Sequence, residues 1–217
     1  MKKNLTELVL ILDMSGSMAS LTDDTIGGFN SVIRQNTDKD GEVLVTTYLF
    51  NGACKMLHDR VPIAEVRPMT TEDYRAGGCT ALIDAMGQAI DHIVSIHRYA
   101  REEDIPEHTL FVITTDGWEN ASHRYTAEQV KEKVRHQQEK RGWEFVYLAS
   151  NIDAVETAGR YGIAREYAVD TMPDAAGNAL KYDSMARAVK LARNCRKLSE
   201  DKSWRDGSDR DFAKRGK

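Results

Sequence analysis

The sequence predicts an α/β fold, with a mostly parallel central sheet covered by helices on both faces and one antiparallel edge strand. Three observations carry this. Leu8-Val9-Leu10-Ile11-Leu12 and the stretch Thr109 to Thr115 are short, continuous apolar runs with β-branched members, the pattern of strands buried on both faces. Stretches with apolar residues spaced three and four apart lie between such runs, so strands alternate with helices and crossovers are right-handed. Asn51-Gly52, between two strand-like segments, is a hairpin signal and gives the single antiparallel edge.

In chain order, the first strand runs from about Glu7 to Leu12 and stops at Asp13. A loop carrying Ser15 and Ser17 leads to a helix from about Thr22 to Arg34, with Ile26, Phe29 and Ile33 on one face and Thr22 as N-cap. Gly27-Gly28 weakens that helix, and close packing of this turn against the sheet is the reason to keep such a pair. Asn36 to Gly41 reads as a polar turn, Val43 to Phe50 as a strand, and Lys55 to His58 as its antiparallel return. After a loop from Pro62 to Ala76, Leu82, Met86, Ala89, Ile90, Ile93 and His97 define the strongest helix, with Thr80 at its start.

The Thr109 to Thr115 strand ends at Asp116. Thr126 and Gln129 suit a capping box for a helix to about Glu139, whose thin apolar face (Ala127, Val130, Val134) makes it peripheral. Trp143 to Ala149 is the next parallel strand, Asn151 to Gly159 a short helix and Glu166 to Val169 a final edge strand. A last helix, Asp174 to Cys195, packs through Leu180, Val189 and Ala192. Only Leu198, Trp204 and Phe212 are large apolar residues beyond Arg196. The expectation is one domain over 1–196 and a disordered polar tail over 197–217.

With 217 residues, 41% hydrophobic and 29% charged, the chain has the size and composition of one soluble domain. A net charge of −4 argues against broad electrostatic binding to nucleic acid or anionic membrane. No window approaches the roughly 18 apolar residues that span a bilayer. Glu7 and Asp13 interrupt the first apolar run, so it reads as a strand rather than a signal segment. Cys54, Cys79 and Cys195 fall in no metal-binding pattern, which favours a reducing compartment. A cytoplasmic location follows as the expectation.

The candidate site starts where the first strand stops. Ligands in open α/β sheets bind outside the carboxyl ends of the strands. Asp13, Ser15 and Ser17 sit there, with Gly16 letting the backbone turn. One carboxylate, two hydroxyls and no imidazole or thiolate make a hard oxygen set, suited to Mg²⁺, Mn²⁺ or Ca²⁺. Thr80, in Gly77-Gly78-Cys79-Thr80-Ala81-Leu82, and Asp116, in Thr114-Thr115-Asp116-Gly117, supply two more oxygen ligands from other strand-end loops.

Asp13-Met14-Ser15-Gly16-Ser17 resembles the D-x-S-x-S signature of von Willebrand factor A (VWA) domains, and the Thr80 and Asp116 segments resemble the other two parts of their metal-ion-dependent adhesion site. The resemblance covers about Leu5 to Leu191, and the type it is most similar to is the single-domain VWA protein of bacterial cytoplasm. It implies a Rossmann-like three-layer sandwich. It further implies that Ser15 and Ser17 ligate the metal directly, Thr80 directly or through water, and Asp13 and Asp116 through bridging waters. Function is then expected to be non-enzymatic, Mg²⁺-dependent capture of a protein partner through its acidic residue. Met14, Met18, Gly78, Cys79, Trp118 and Glu119 are the expected rim of that binding surface.

Blander readings compete at each residue. Asp and Ser are ordinary turn residues, Thr80 can simply cap a helix, and Trp118 and Glu119 can simply pack their loop. Cys79 reads as a small filler, and His58, His92, His97 and His123 form no close metal pair. The competing function is a metal-dependent phosphohydrolase or phosphotransferase of haloacid-dehalogenase-like type. That chemistry needs a second aspartate where this chain has Ser15, and a lysine near the metal. A serine hydrolase is weaker still, with no histidine–acid pair near Ser15 or Ser17.

Overall fold

The computed structural model describes residues 1–37, 41–150, 153–194 and 197–216; the expectations placed on 38–40, Asn151, Cys195 and Arg196 lie outside them. β1 (Lys2–Asp13), β2 (Glu42–Phe50), β3 (Cys54–Pro62), β4 (Pro106–Thr115), β5 (Glu144–Ser150) and β6 (Ala168–Thr171) form one sheet in the order β3-β2-β1-β4-β5-β6. Every neighbouring pair is parallel except β2 and β3, which return antiparallel across Asn51 to Ala53. The side-chain carbonyl of Asn51 accepts the Ala53 N–H at 3.0 Å, which closes that turn.

Strand alternation divides the core between two faces. Leu8, Leu10 and Leu12 of β1, Leu110 and Val112 of β4, and Val146 and Leu148 of β5 point to one side. There they meet α1 (Thr22–Thr37) and α5 (Ala175–Arg193). Val9, Ile11, Phe111, Ile113, Phe145 and Tyr147 point to the other side, against α2 (Leu82–Tyr99), α3 (Ala127–Arg141) and α4 (Ala154–Arg160). A sheet covered on both faces needs apolar residues at consecutive positions, which is why the β1 and β4 runs are unbroken. The three-layer α/β architecture with one antiparallel edge is the one the sequence predicts.

Glu7 lies immediately before the Leu8–Leu12 run of β1 and is fully buried. Its carboxylate accepts from Arg60 Nε at 2.9 and 3.1 Å and lies 3.3 Å from His97 Nε2. A buried carboxylate is tolerable only with such partners. His97 therefore has the structural role its place on the apolar helix face suggests.

Four local expectations change. Thr22 is the first residue of α1, and its hydroxyl donates back to the Ala19 carbonyl at 3.1 Å rather than capping the helix. Gly28 is required by α5, not by the sheet: a Cβ there would sit 2.3 Å from the Tyr182 ring, while Gly27 has nothing within 4 Å. The final edge strand lies slightly later than expected, at Ala168–Thr171. Leu180 is only partly buried; Lys181, Met185, Val189 and Ala192 carry the inward face of α5.

The segment after 196, expected to be a disordered tail, folds back as a short 3-10 turn, Lys202–Trp204, and α6 (Asp206–Arg215). Leu198 and Trp204 are buried in the same core as α1 and α5. Arg215 pairs with Asp174 at the start of α5, and Ser208 bonds Ser184 at 2.9 Å. Composition averages over the segment, and two well-placed apolar residues were enough to anchor it. No helix among the described residues is long and apolar enough to cross a membrane.

Candidate metal centre

From β1 the chain crosses first to β2 on one side and later to β4 on the other, so the carboxyl ends of β1 and β4 form the switch point of the sheet. Asp13 ends β1 and Asp116 directly follows β4. Three loops meet here and are tied by backbone bonds. Gly16 N–H donates to the Gly78 carbonyl at 3.0 Å, Gly77 N–H to the Met14 carbonyl at 2.8 Å, and Asn120 N–H to the Thr80 carbonyl at 3.0 Å. Tyr74, buried under the site, donates its hydroxyl to the Asp13 carbonyl at 2.5 Å. Gly78 adopts φ +81°, a conformation costly for any side chain, and so lets this loop close on Gly16.

Within this frame Asp13 is buried, and both its oxygens are engaged. Oδ1 accepts the Ser15 N–H at 2.7 Å and Oδ2 the Thr115 hydroxyl at 2.7 Å. Burial pushes the Asp13 carboxyl up, the Ser15 and Thr115 bonds pull it back, and the nearby Asp116 charge adds to the rise. Ser15 Oγ lies 3.1 Å from Ser17 Oγ. A Cβ on Gly117 would stand 3.3 Å from both Ser17 Oγ and Thr80 Oγ1 and 3.8 Å from Ser15 Oγ. The three hydroxyls thus converge beside the backbone that follows Asp116. Thr80 makes no side-chain cap to α2, whose N-cap position is Ala81.

Asp116 is buried and divided in its duties. Oδ1 accepts a short bond from Lys181 Nζ of α5, and Oδ2 is buried without a hydrogen-bond partner. A buried carboxylate oxygen left unpaired is costly. A hard cation, or a water on it, would satisfy that oxygen, and three convergent hydroxyls beside it are suitable ligands for such an ion. The residues present fit a divalent cation. Among the described residues no group of three or more His, Cys, Asp or Glu side chains could hold a metal, so the set is not a carboxylate or thiolate cage.

The expected rim separates into different parts. Trp118 is exposed at 57%, and Gly78 and Cys79 are exposed as well. Cys79 is therefore not a core filler. Met18 is buried in the core and Met14 packs partly against it, so neither is a free surface residue. Glu119 works for the frame: its carboxylate accepts from Ile83 N–H at 2.9 Å, Ala121 N–H at 2.9 Å, Ser122 N–H at 2.8 Å and Ser122 Oγ at 2.8 Å. It satisfies one of the orphan N–H groups that open α2, and Ser122 Oγ satisfies another at Asp84.

No protein-family model matches the chain, and no curated relative matches it. Solved structures do. The von Willebrand domain of the type V pili tip protein Mfa5 from Porphyromonas gingivalis is 8% identical, with a TM-score of 0.63 over 86% of this chain and 95% of that one. The chain has the von Willebrand factor A fold. The ArnB paralog VWA2 from Sulfolobus acidocaldarius is 13% identical, with a TM-score of 0.55 over 82% of this chain and 44% of that one. Proximal thread matrix protein 1 from the mussel byssus, solved with a zinc-occupied metal-ion-dependent adhesion motif, is 15% identical, with a TM-score of 0.53 over 88% and 45%. The chain spans less than half the length of several of these matches.

Within this VWA fold, sequence reasoning missed Lys181, Thr115 and Tyr74. Lys181 had a signal: it lies on the same helical stripe as Gly177, Met185, Ala188 and Ala192, all buried, where a lysine is out of place. Thr115 and Tyr74 had none, because they reach Asp13 only through the packing of β4 and the 62–76 loop.

Proposed function

We propose that this VWA-fold chain is a non-enzymatic, divalent-cation-dependent protein-binding module, with Mg²⁺ as the resident ion and a partner carboxylate as the captured group. The observation that carries the reading is the buried, unpartnered Oδ2 of Asp116 beside the convergent hydroxyls of Ser15, Ser17 and Thr80. Ser15, Ser17 and Thr80 would hold the ion directly. Asp13, with both oxygens already bonded, and Asp116 would act on its coordinated waters and through their charge. When bound, the ion supplies an electrophilic position for an anionic oxygen. Mg²⁺ suits a site with few protein carboxylates because it keeps waters. The zinc held by the mussel protein in the corresponding motif supports a divalent ion of this size. Exposed Trp118 then offers an aromatic anchor beside the captured carboxylate. Three cysteines in no metal-binding pattern support a cytoplasmic location, and the resemblance to bacterial single-domain VWA proteins supports an adaptor role.

The test is calorimetry with Mg²⁺ and Mn²⁺. One site is expected in the native chain, and Asp13→Ala should abolish it with circular dichroism unchanged. Equal binding by both proteins ends this assignment. The phosphotransfer reading gains one observation, a lysine beside Asp116. It still has Ser15 where the second aspartate belongs, so the expected outcome with p-nitrophenyl phosphate and Mg²⁺ is no turnover above background.

A further inference from the structure

Lys181 is 1% exposed, sits on the inward face of α5 and places its ammonium on Asp116 Oδ1. For packing alone, an apolar residue of similar length would cost less, because burying a charge is expensive even when it is paired. We propose that Lys181 is a built-in counter-cation of the metal centre, which weakens the protein's own hold on a divalent ion and strengthens that ion's hold on a partner carboxylate. The inference rests on the metal-binding reading above.

Charge at this buried place is unevenly matched. Asp13 and Asp116 bring two formal negative charges, and Lys181 returns one positive charge through its contact with Asp116. Ser15, Ser17 and Thr80 are neutral. A divalent ion held by the two carboxylates alone would be nearly compensated and would have little need of another anion. With Lys181 present the assembly keeps a net positive charge, and an incoming carboxylate is the group that cancels it. In a poorly solvated site that difference is large compared with its value in water. The geometry allows both cations at once. Lys181 occupies Oδ1 of Asp116 and leaves Oδ2 unpartnered, so lysine and metal shell address different oxygens of one carboxylate. Asp13 does not compete for the ammonium, since its oxygens are taken by Ser15 and Thr115.

The experiment measures Mn²⁺ affinity by paramagnetic resonance of the free ion, in the full chain and in Lys181→Gln, Lys181→Met and Lys181→Arg. The neutral variants should bind Mn²⁺ about tenfold or more tightly, while Lys181→Arg, which keeps the charge, stays near the native value. Sodium acetate, as a carboxylate probe, should tighten Mn²⁺ binding in the native chain and do so less in Lys181→Gln. If the native chain binds Mn²⁺ and the neutral variants bind it equally or more weakly, the inference is overturned and the metal reading stands. If only the neutral variants bind, Lys181 excludes the ion instead of tuning it, and both the inference and the metal reading of the native chain are overturned. If none binds, both fall. Should the neutral variants fail to fold, the native chain still decides. The ¹⁵N resonance of the buried Lys181 ammonium should shift during Mg²⁺ titration with the calorimetric midpoint, and a resonance that stays in place while Mg²⁺ binds refutes the inference.

Discussion

Asp13 and Asp116 have the same side chain and stand at the ends of adjacent strands, yet their surroundings differ. Asp13 has every oxygen bonded by neutral donors; Asp116 has one oxygen on an ammonium and one without a partner. The space between the hydroxyls is shaped partly by Gly117, which has no side chain. Gly117→Ala would put a methyl group 3.3 Å from Ser17 Oγ and Thr80 Oγ1, in the space the hydroxyls share. Expected is a loss of at least about tenfold in Mg²⁺ affinity, with stability changed by less than about 1 kcal/mol, since the methyl group fills space rather than breaking core contacts. Calorimetry and a denaturant melt check the two halves; an unchanged affinity would mean that the hydroxyls do not converge on the ion. Residues of this kind were unevenly legible. Asp13, Ser15 and Ser17 lie within five positions, so a local motif exposes them. Lys181 is 65 residues from Asp116 and announces itself only as a charge within a buried helical stripe.

At the scale of elements, the rim loop and α2 behave as one piece. Besides Glu119 at Ile83, Asp84 accepts the backbone N–H groups of His123 at 3.0 Å, Arg124 at 2.9 Å and Tyr125 at 2.9 Å. Thr80 and Asp116 are therefore carried by segments that cannot move independently. The blander alternative for Thr80, a helix cap, does not hold, because Glu119 and Ser122 of the distant loop perform that task. Burial pushes the Asp84 carboxyl up, but the three N–H bonds and the His123 charge together outweigh it and leave it below the ordinary carboxylate value. A depressed folded-state value means the stabilisation is complete above the ordinary carboxylate range and is lost as pH falls through that lower value. Protection factors of the 123–125 amides should accordingly hold at neutral pH and collapse selectively under acid. Asp84→Ala should cost on the order of 3 kcal/mol in a urea melt at pH 7, because it strands those amides. A cost below about 0.5 kcal/mol would show that the loop is held by other means. A second element-scale test concerns α1 and α5: Gly28→Ala forces its methyl group to 2.3 Å from Tyr182 and should destabilise by about 1–3 kcal/mol.

For the whole molecule, the sheet places the site and the far end of the chain secures one wall of it. Unbroken apolar runs made the buried parallel strands readable, and with them the carboxyl ends where a site belongs, while the order of the strands came only from the structure. The closing segment was not readable, because its composition is polar and its anchoring depends on where Trp204 and Leu198 land. Trp204 is 1% exposed and donates its indole N–H to the Leu198 carbonyl at 3.3 Å. Arg205 lies over its ring at 5.8 Å and donates to the Glu166 carbonyl at 2.9 Å, binding the segment to the edge next to β6. Glu144 accepts the Leu198 N–H at 2.9 Å, so the anchor also reaches β5. A solvated tail could be removed without cost. Trp204→Ala, however, should destabilise the protein by about 3–5 kcal/mol, the usual range for emptying a buried tryptophan site. Removal of 197–217 should lower the melting temperature at least as much. The loss should also reach the metal centre, because α6 and Trp204 pack on α5, and α5 carries Lys181 to Asp116. Calorimetric Mg²⁺ titration of the truncated chain below its melting temperature should give an altered affinity, whereas Arg210→Ala, on the exposed side of α6, should leave both stability and affinity unchanged. A truncated chain with native melting and native affinity would return the segment to the status of a tail.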